Sequence, residues 1–176
     1  SKGGKVLDVG CGSGELLSLF KSKGYGAYGI EVLPGLVQLA RERFGLEVWQ
    51  GDFLDTSYPA HYFDLVIFYH VLEHLPKPDL GLLEAKRVLK KGGFLLLQLP
   101  NIASYQLRIF HQRWFALEVP RHLYHFSPKT IELLLNNTGF EPFRIRHFSL
   151  RNNPLILAST LFPRLNYHPL PKSSDK

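Results

Sequence analysis

The sequence predicts an α/β fold, a doubly wound, mostly parallel sheet with helices on both faces. Short apolar runs alternate with segments whose apolar residues recur at helical spacing. Two of the runs, at 63–69 and 94–99, are apolar nearly throughout, which is typical of strands buried on both faces. The first run is followed at once by three closely spaced glycines and then by a helical pattern, as in a strand–turn–helix unit that approaches a ligand.

The elements follow in order along the chain. Five strands are predicted at 6–9, 25–31, 46–50, 63–69 and 94–99. Four helices are predicted at 13–23, 34–44, 79–91 and 127–139, where Asp79 and Ser127 are the expected N-caps and glycines end the helices. A sixth strand is expected at 140–150 and a short apolar helix at 155–165. We therefore expect one domain over 1–165 and a disordered tail over 166–176.

Composition narrows the class of protein. With 176 residues, 45% hydrophobic and 20% charged, the chain is long enough for one proper core. The single cysteine, Cys11, rules out an intrachain disulfide and fits a cytoplasmic, reducing compartment. No apolar stretch reaches the ~20 residues of a membrane span, so at most a peripheral membrane contact near 155–165 is expected. The absence of methionine, the early first strand and the lack of a clear seventh strand indicate a chain trimmed at its ends.

The charge and the turn chemistry indicate the kind of ligand. The net charge of +6 is moderate and no nucleic-acid-reading motif accompanies it, so no nucleic acid partner is expected. The glycines are Gly10, Gly12 and Gly14, and the next residue is Glu15, where a dinucleotide fold has glycine or alanine. A carboxylate there would repel a pyrophosphate but tolerate an amino group, such as the methionine end of S-adenosylmethionine. Asp8 supplies a second acid beside the turn.

Further polar residues follow the second and third strands. Glu31 ends the second strand, where an acid can accept hydrogen bonds from ribose hydroxyls; the alternative is an ordinary carboxylate in a loop. Asp52 and Phe53 follow the third strand, where an acid and an aromatic ring can accept the adenine amino hydrogen and pack beside the base. For Asp52 the alternative is a carboxylate that caps a turn.

The segment after the fourth strand holds a misleading motif. His70 to His74 read H-x-x-E-H, which is also a zinc signature of metalloproteases. That signature needs a sustained helix, whereas Pro76 and Pro78 allow barely a turn, so no metal site is expected. Tyr69 and His70 are better interpreted as ligand-facing residues at the carboxyl end of a strand.

Residues 101–126 interrupt the alternation and hold no clear strand. The segment is rich in aromatic residues, arginine and histidine, and a long irregular insertion at this sheet edge is typical of a lid or substrate-binding element. His122 and His125 are the acid/base candidates, because histidine titrates near neutral pH. The alternative is a packing cluster in which both rings are hydrogen-bonded to backbone.

Over residues 4–150 the chain resembles the class I S-adenosylmethionine-dependent methyltransferases. The motifs that carry the resemblance are DVGCGSG at 8–14, Glu31, Gly51-Asp52, FDLVIFYHVLEHL at 63–75 and LKKGGFLLLQLPN at 89–101. The segment PRHLYHFSP at 120–128 is similar to the branch of small-molecule O- and C-methyltransferases that includes ubiquinone-pathway enzymes. Enzymes that methylate amines of DNA bases differ, because they carry an Asn/Asp-Pro-Pro-aromatic run where this chain has FYHV at 68–71.

The resemblance implies a reaction and a binding site. It implies methyl transfer from S-adenosylmethionine to a small-molecule or lipid-like acceptor, at oxygen or carbon. The implied cofactor-binding residues are Asp8, Gly10, Cys11, Gly12, Gly14, Glu31, Val32, Asp52, Phe53, Tyr69 and His70. The resemblance does not assign a catalytic residue in this chain, and it does not indicate the oligomeric state. Two other classes stay open: a cofactor-binding domain without activity, acting as a sensor or partner subunit, and a dehydrogenase, against which Glu15 argues.

Overall fold

A computed structural model of the chain describes residues 3–147. Its elements are β1 (Lys5–Val9), α1 (Glu15–Ser22), β2 (Gly26–Glu31), α2 (Pro34–Phe44), β3 (Glu47–Gln50), β4 (Phe63–Tyr69), α3 (Pro78–Val88), β5 (Leu89–Gln98), α4 (Tyr105–Phe110) and α5 (Pro128–Asn137). The predicted 155–165 helix and 166–176 tail, and with them the end of the proposed domain, lie outside the described residues.

The five strands form one parallel sheet in the order β3-β2-β1-β4-β5. The central strand, β1, pairs with β2 on one side and with β4 on the other. All strands point the same way, so their carboxyl ends meet at one edge of the sheet. The strand order reverses beside β1, and ligands of open α/β sheets bind at such a point. The predicted α/β fold with a parallel sheet is confirmed.

Two hydrophobic cores cover the two faces of the sheet. Neighbouring residues of β1 show why, because Val6 packs into one core and Leu7 into the other, as the twofold alternation of a strand requires. Val6 lies with Leu17 of α1 and Val37 of α2, whereas Leu7 lies with Leu82 of α3. Both faces are covered by helices, which explains the apolar character of β4.

The boundary between α3 and β5 differs from the prediction. The helix ends at Val88 rather than at the Gly92-Gly93 pair, and the strand begins at Leu89 rather than at Phe94. Leu89 pairs with Phe63 of β4 and is buried, and Lys90 reaches Asp64 at 2.8 Å. Pairing across the sheet therefore overrides the helical spacing of this segment.

Two further predictions are wrong. Asp79 does not cap α3, because the helix begins at Pro78, whose fixed φ suits a first helical position, and Asp79 lies in the first turn. The predicted sixth strand is absent from its described part, residues 140–147, where Phe143 and Ile145 are exposed and make no ladder with β5. The predicted Ser127 cap is confirmed, with Thr130 completing a reciprocal capping box.

The 101–126 insertion contains no ladder strand, as predicted, but it is not wholly irregular. It holds α4 and two 3₁₀ turns, His111–Arg113 and Phe115–Leu117. Its most buried side chain is Trp114, which is 3% exposed and donates its indole N–H to Gln106 of the same segment at 3.1 Å. Within the described part of the chain, no helix has the length and apolar character needed to cross a bilayer.

Candidate functional site

The glycine turn follows β1 at the carboxyl edge of the sheet, and each of its three glycines has a positive φ: +70° at Gly10, +56° at Gly12 and +85° at Gly14. A Cβ on Gly10 would lie 2.4 Å from a methyl of Val71, and one on Gly14 would lie 2.5 Å from Leu46. A Cβ on Gly12 would meet nothing within 4 Å. Two glycines are thus required by packing, while Gly12 borders open space.

The backbone of the turn is held from within the protein. The amides of Gly10 and Cys11 both donate to the carbonyl of Ile30, at 2.8 and 2.9 Å, and the Gly14 amide donates to Cys11 at 3.0 Å. These N–H groups are already paired. What the turn offers a ligand at these positions is close approach to a fixed backbone rather than additional donors.

Glu31 joins the turn to the end of β2. Its Oε2 accepts the Gly12 N–H at 3.0 Å, and its Oε1 accepts the N–H groups of Val32 and Leu33 at 2.9 and 3.0 Å. A carboxylate has about four lone-pair positions, so about one remains for a ligand. Binding both hydroxyls of a ribose would require one of these backbone bonds to give way. The Val32 side chain is exposed beside this carboxylate.

Asp8 is a buried acid beneath the turn. It is 2% exposed, and its Oδ1 has no hydrogen-bond partner among the described residues. Burial, together with the nearby charge of Glu31, raises the pKa of Asp8 from 3.8 to about 7. Ionisation of Asp8 near neutral pH therefore costs free energy unless a hydrogen-bond donor or a positively charged group contacts its carboxylate.

Cys11 lies inside the turn but is buried, with its sulfur where a Cβ on Gly29 would clash at 2.6 Å. Burial and the charges of Asp8 and Glu31 raise the pKa of the Cys11 thiol to about 12. A thiol in that state is not a nucleophile at neutral pH. The structure favours a packing role for this side chain.

After β3, Asp52 caps a short turn and the ring of Phe53 packs in the core. Asp52 accepts the Leu54 N–H at 2.8 Å and so begins a 3₁₀ turn at Phe53, as the capping alternative describes. The Phe53 ring is buried in the core, 5.8 Å from the ring of Phe68. Contacts of Asp52 and Phe53 with an adenine ring stay predictions. Because the Phe53 ring is buried, it is better placed to support an adenine site from the core than to lie on its surface.

The end of β4 is conformationally unusual. His70 has φ +56°, a region that non-glycine residues rarely occupy and that is enriched at functional sites. Its amide donates to Gln98 of β5 at 2.9 Å, and its Nδ1 lies 3.3 Å from Oε1 of the buried Glu73. The Tyr69 and His70 rings meet edge to face at 5.0 Å. Both residues stand at the carboxyl edge, as predicted.

The insertion docks onto the segment after β4 mainly through backbone. The carbonyl of Glu73 accepts the N–H groups of Leu123 and Tyr124, at 2.9 and 3.2 Å. The Nδ1–H of His74 donates to the carbonyl of Arg121 at 2.8 Å. These contacts bring His122 to the carboxyl side of β4, with its ring 4.7 Å from that of His74. From the sequence, Glu73 and His74 were considered only within the H-x-x-E-H motif, and their contacts with the insertion were not predicted.

The two predicted acid/base residues have different surroundings. His122 is 7% exposed, and its Nε2 lies 3.2 Å from Oε2 of Glu118. Burial is the main cause that lowers the pKa of His122 below its usual value. The Nε2–H of His125 donates to the carbonyl of Leu117 at 3.0 Å, as in the packing alternative. That bond leaves the Nδ1 of His125 as its basic nitrogen.

Comparison with known proteins decides the family. The model of a family described as "Methyltransferase domain" matches residues 1–144. The chain belongs to this methyltransferase family. Among curated proteins, it is 29% identical over 152 residues to the "Ubiquinone biosynthesis O-methyltransferase" of Xanthomonas euvesicatoria, with 79% of this chain covered. The match spans 63% of that relative's length, and so less than two thirds of it.

Solved structures agree on the fold. A crystal structure described as a SAM-dependent methyltransferase from Archaeoglobus fulgidus is 24% identical with a TM-score of 0.67, over 92% of this chain and 79% of that one. Another, from Methanosarcina mazei, is 23% identical with a TM-score of 0.68, over 86% of this chain and 87% of that one. The chain of this methyltransferase family therefore has the parallel α/β fold of these solved structures, which are described as SAM-dependent methyltransferases.

Proposed function

We propose that this methyltransferase transfers the methyl group of S-adenosylmethionine to an oxygen or carbon atom of a small-molecule or lipid-like acceptor. The observation that carries the proposal is the hydrogen bond from Gly12 to Glu31, which joins the glycine turn and the acid of β2 into one preformed surface. The name of the Xanthomonas relatives, ubiquinone biosynthesis O-methyltransferase, supports an oxygen atom as the acceptor. The lone cysteine supports a cytoplasmic location.

In this proposal the cofactor lies along the carboxyl edge of the sheet. The glycine turn holds the methionine portion, with the Asp8 carboxyl below it. Glu31 and Val32 face the ribose, and Asp52 and Phe53 face the adenine. Tyr69 and His70 close the amino acid end. The buried, half-satisfied Asp8 fits a ligand that carries a positive group, because such a group would offset the cost of its buried charge.

The chemistry asked of the protein is modest. The bound cofactor supplies a methyl group that its sulfonium already makes electrophilic. The chain has to align the acceptor with that group, exclude water and, for a hydroxyl acceptor, take up a proton. We assign acceptor recognition to residues 101–126, whose Tyr105 and Ile109 are 79% and 67% exposed. His125, through Nδ1, and His122 are the candidates for accepting the proton of the hydroxyl.

Binding of S-adenosylhomocysteine, measured by calorimetry, tests the cofactor half of the proposal. We expect one site per chain, weakened roughly 10–100-fold in Glu31→Gln, because a hydrogen-bonding charge is worth about 1.5–3 kcal/mol. Glu47→Gln is the matched control, since Glu47 is an exposed carboxylate at the start of the edge strand β3. A folded sample that does not bind the ligand would overturn the proposal.

Transfer of labelled methyl to hydroxylated aromatic acceptors, with and without an isoprenoid tail, tests the other half. We expect product with at least one acceptor, and a loss of kcat in His125→Gln while binding of S-adenosylhomocysteine is retained. Binding without transfer to any acceptor of the panel would favour the alternative, a cofactor-binding sensor or partner subunit. Unchanged kcat in His125→Gln would assign that ring to packing.

A further inference from the structure

Three potential metal ligands meet where the insertion docks onto the end of β4. Glu73 and His74 lie in the 3₁₀ turn Leu72–His74, and His122 comes from the insertion. Each offers one ligand atom, and the three atoms all lie within 4.8 Å of one another. Glu73 and His122 are buried, at 1% and 7% exposure. The cluster does not include the glycine turn or Glu31.

Each histidine of the cluster is oriented through its second ring nitrogen. His74 Nδ1 lies 2.8 Å from the carbonyl oxygen of Arg121, which can only accept, so Nδ1 carries the proton and Nε2 the lone pair. His122 Nε2 lies 3.2 Å from a carboxylate oxygen of Glu118, which leaves the lone pair on Nδ1. Metal-binding histidines are commonly held in this way by a carbonyl or carboxylate.

Two atoms of the cluster lack partners. The Oε2 of Glu73 and the Nδ1 of His122 are both fully buried, and neither has a hydrogen-bond partner in the described part of the chain. Both are acceptors in these states, so they cannot satisfy one another. Burying an unpaired polar atom costs about 1–3 kcal/mol, and more for a charged one. A cation between them would satisfy both.

We infer that Glu73, His74 and His122 bind a divalent cation of the Zn²⁺ type. Two imidazole nitrogens and one carboxylate oxygen are a donor set that suits this ion, and three protein ligands leave one position open. Bonds of 2.0–2.2 Å place tetrahedral ligands about 3.4 Å apart, so ligand atoms that are 4.8 Å apart have to close by about 1.4 Å.

The ion would link two parts of the chain that are distant in sequence. It would join the turn after β4 to the insertion and add to the backbone bonds that already dock them. A metal-bound His122 takes no proton from an acceptor, which leaves that role to His125. From the sequence, a zinc site at His70 and His74 was set aside because no sustained helix follows, and no metal was expected; the structure pairs His70 with Glu73 and brings His122 to the cluster.

Titration of the metal-free full chain with Co²⁺ and Zn²⁺ tests the site. We expect one Co²⁺ per chain with the visible absorption of four-coordinate Co²⁺, displaced by Zn²⁺. His74→Gln and His122→Gln should each weaken Zn²⁺ binding at least about 100-fold, and Glu118→Gln about 10–100-fold. His111→Asn, which removes an exposed histidine outside the cluster, should bind as the unaltered chain does.

Binding of S-adenosylhomocysteine, measured on the same samples, shows that each variant is folded and keeps the cofactor question separate. No stoichiometric metal binding in a chain that binds S-adenosylhomocysteine would overturn the inference and leave the proposed function intact. Metal binding that survives both His74→Gln and His122→Gln would overturn it as well. His74→Gln carries the test if the more buried His122→Gln does not fold.

Discussion

The proposed cofactor side and the proposed acceptor side of the site are built in different ways. On the cofactor side, the shape comes from backbone: three glycines at positive φ, amides paired to the Ile30 carbonyl, and Glu31 bound to neighbouring amides. On the acceptor side, the insertion is positioned by contacts between segments distant in sequence, such as Leu123 with Glu73. The first side is suited to one constant ligand, and the second can change with the acceptor while the first is preserved.

The strongest way to separate the two sides is Trp114→Ala. Trp114 is the most buried side chain of the insertion, and truncating a buried tryptophan costs about 3–5 kcal/mol. We expect the insertion to lose its order and methyl transfer to be lost, while S-adenosylhomocysteine binds within about 3-fold of its original affinity. Limited proteolysis should then cut within 101–126. Equal loss of cofactor binding would show that the two sides form one cooperative unit.

Gly10→Ala and Gly12→Ala form a matched pair on the cofactor side. Both force alanine into a left-handed conformation, but only the Gly10 variant also drives a Cβ into Val71. We expect Gly10→Ala to lower the free energy of unfolding by about 3 kcal/mol and Gly12→Ala by about 1–2 kcal/mol. Calorimetric titration should nevertheless show weaker S-adenosylhomocysteine binding in Gly12→Ala, because its methyl group fills the open space. Equal stabilities of the two variants would contradict the packing argument.

Asp8 predicts a pH dependence of stability on the cofactor side. Because its pKa is raised from 3.8 to about 7, the folded state holds a proton that the unfolded state has lost. Stability from this group is greatest below pH 4 and falls until the pH passes about 7. Between pH 5.5 and 8 the loss is about 2 kcal/mol. Thermal unfolding of the ligand-free chain should show it, and Asp8→Asn should flatten the profile; an unchanged slope in that variant would assign it to another group.

The smallest effect is expected from Tyr124→Phe. Its hydroxyl donates to the carbonyl of Pro76 at 3.1 Å, where the insertion meets the turn after β4. Tyr124 is 41% exposed, so losing this bond should cost about 0.5 kcal/mol in chemical denaturation. Cofactor affinity should not change, and KM for the acceptor should rise by less than about 3-fold. A larger change in cofactor affinity would show that this contact supports both sides.

The same contrast explains what could be predicted from sequence. The glycine turn, Glu31 and the strands are encoded locally, by residues that need a particular φ or by apolar runs. The start of β5 at Leu89 was missed because it depends on pairing with Phe63. Strand 140–150 was predicted from alternation alone, and alternation does not supply a partner strand. The grouping of Glu73, His74 and His122 depends on tertiary contacts, which the periodicity of the sequence does not predict.

The packing of Gly10 against Val71 has a consequence for how the protein is made. The turn proposed to receive the cofactor packs against a side chain about sixty positions further along, and the preceding strand, β1, pairs with β4. A nascent chain that has emerged only as far as β3 therefore lacks a finished turn. A ligand that binds only the assembled sheet stabilises the fully folded chain and does not stabilise earlier, partly folded states.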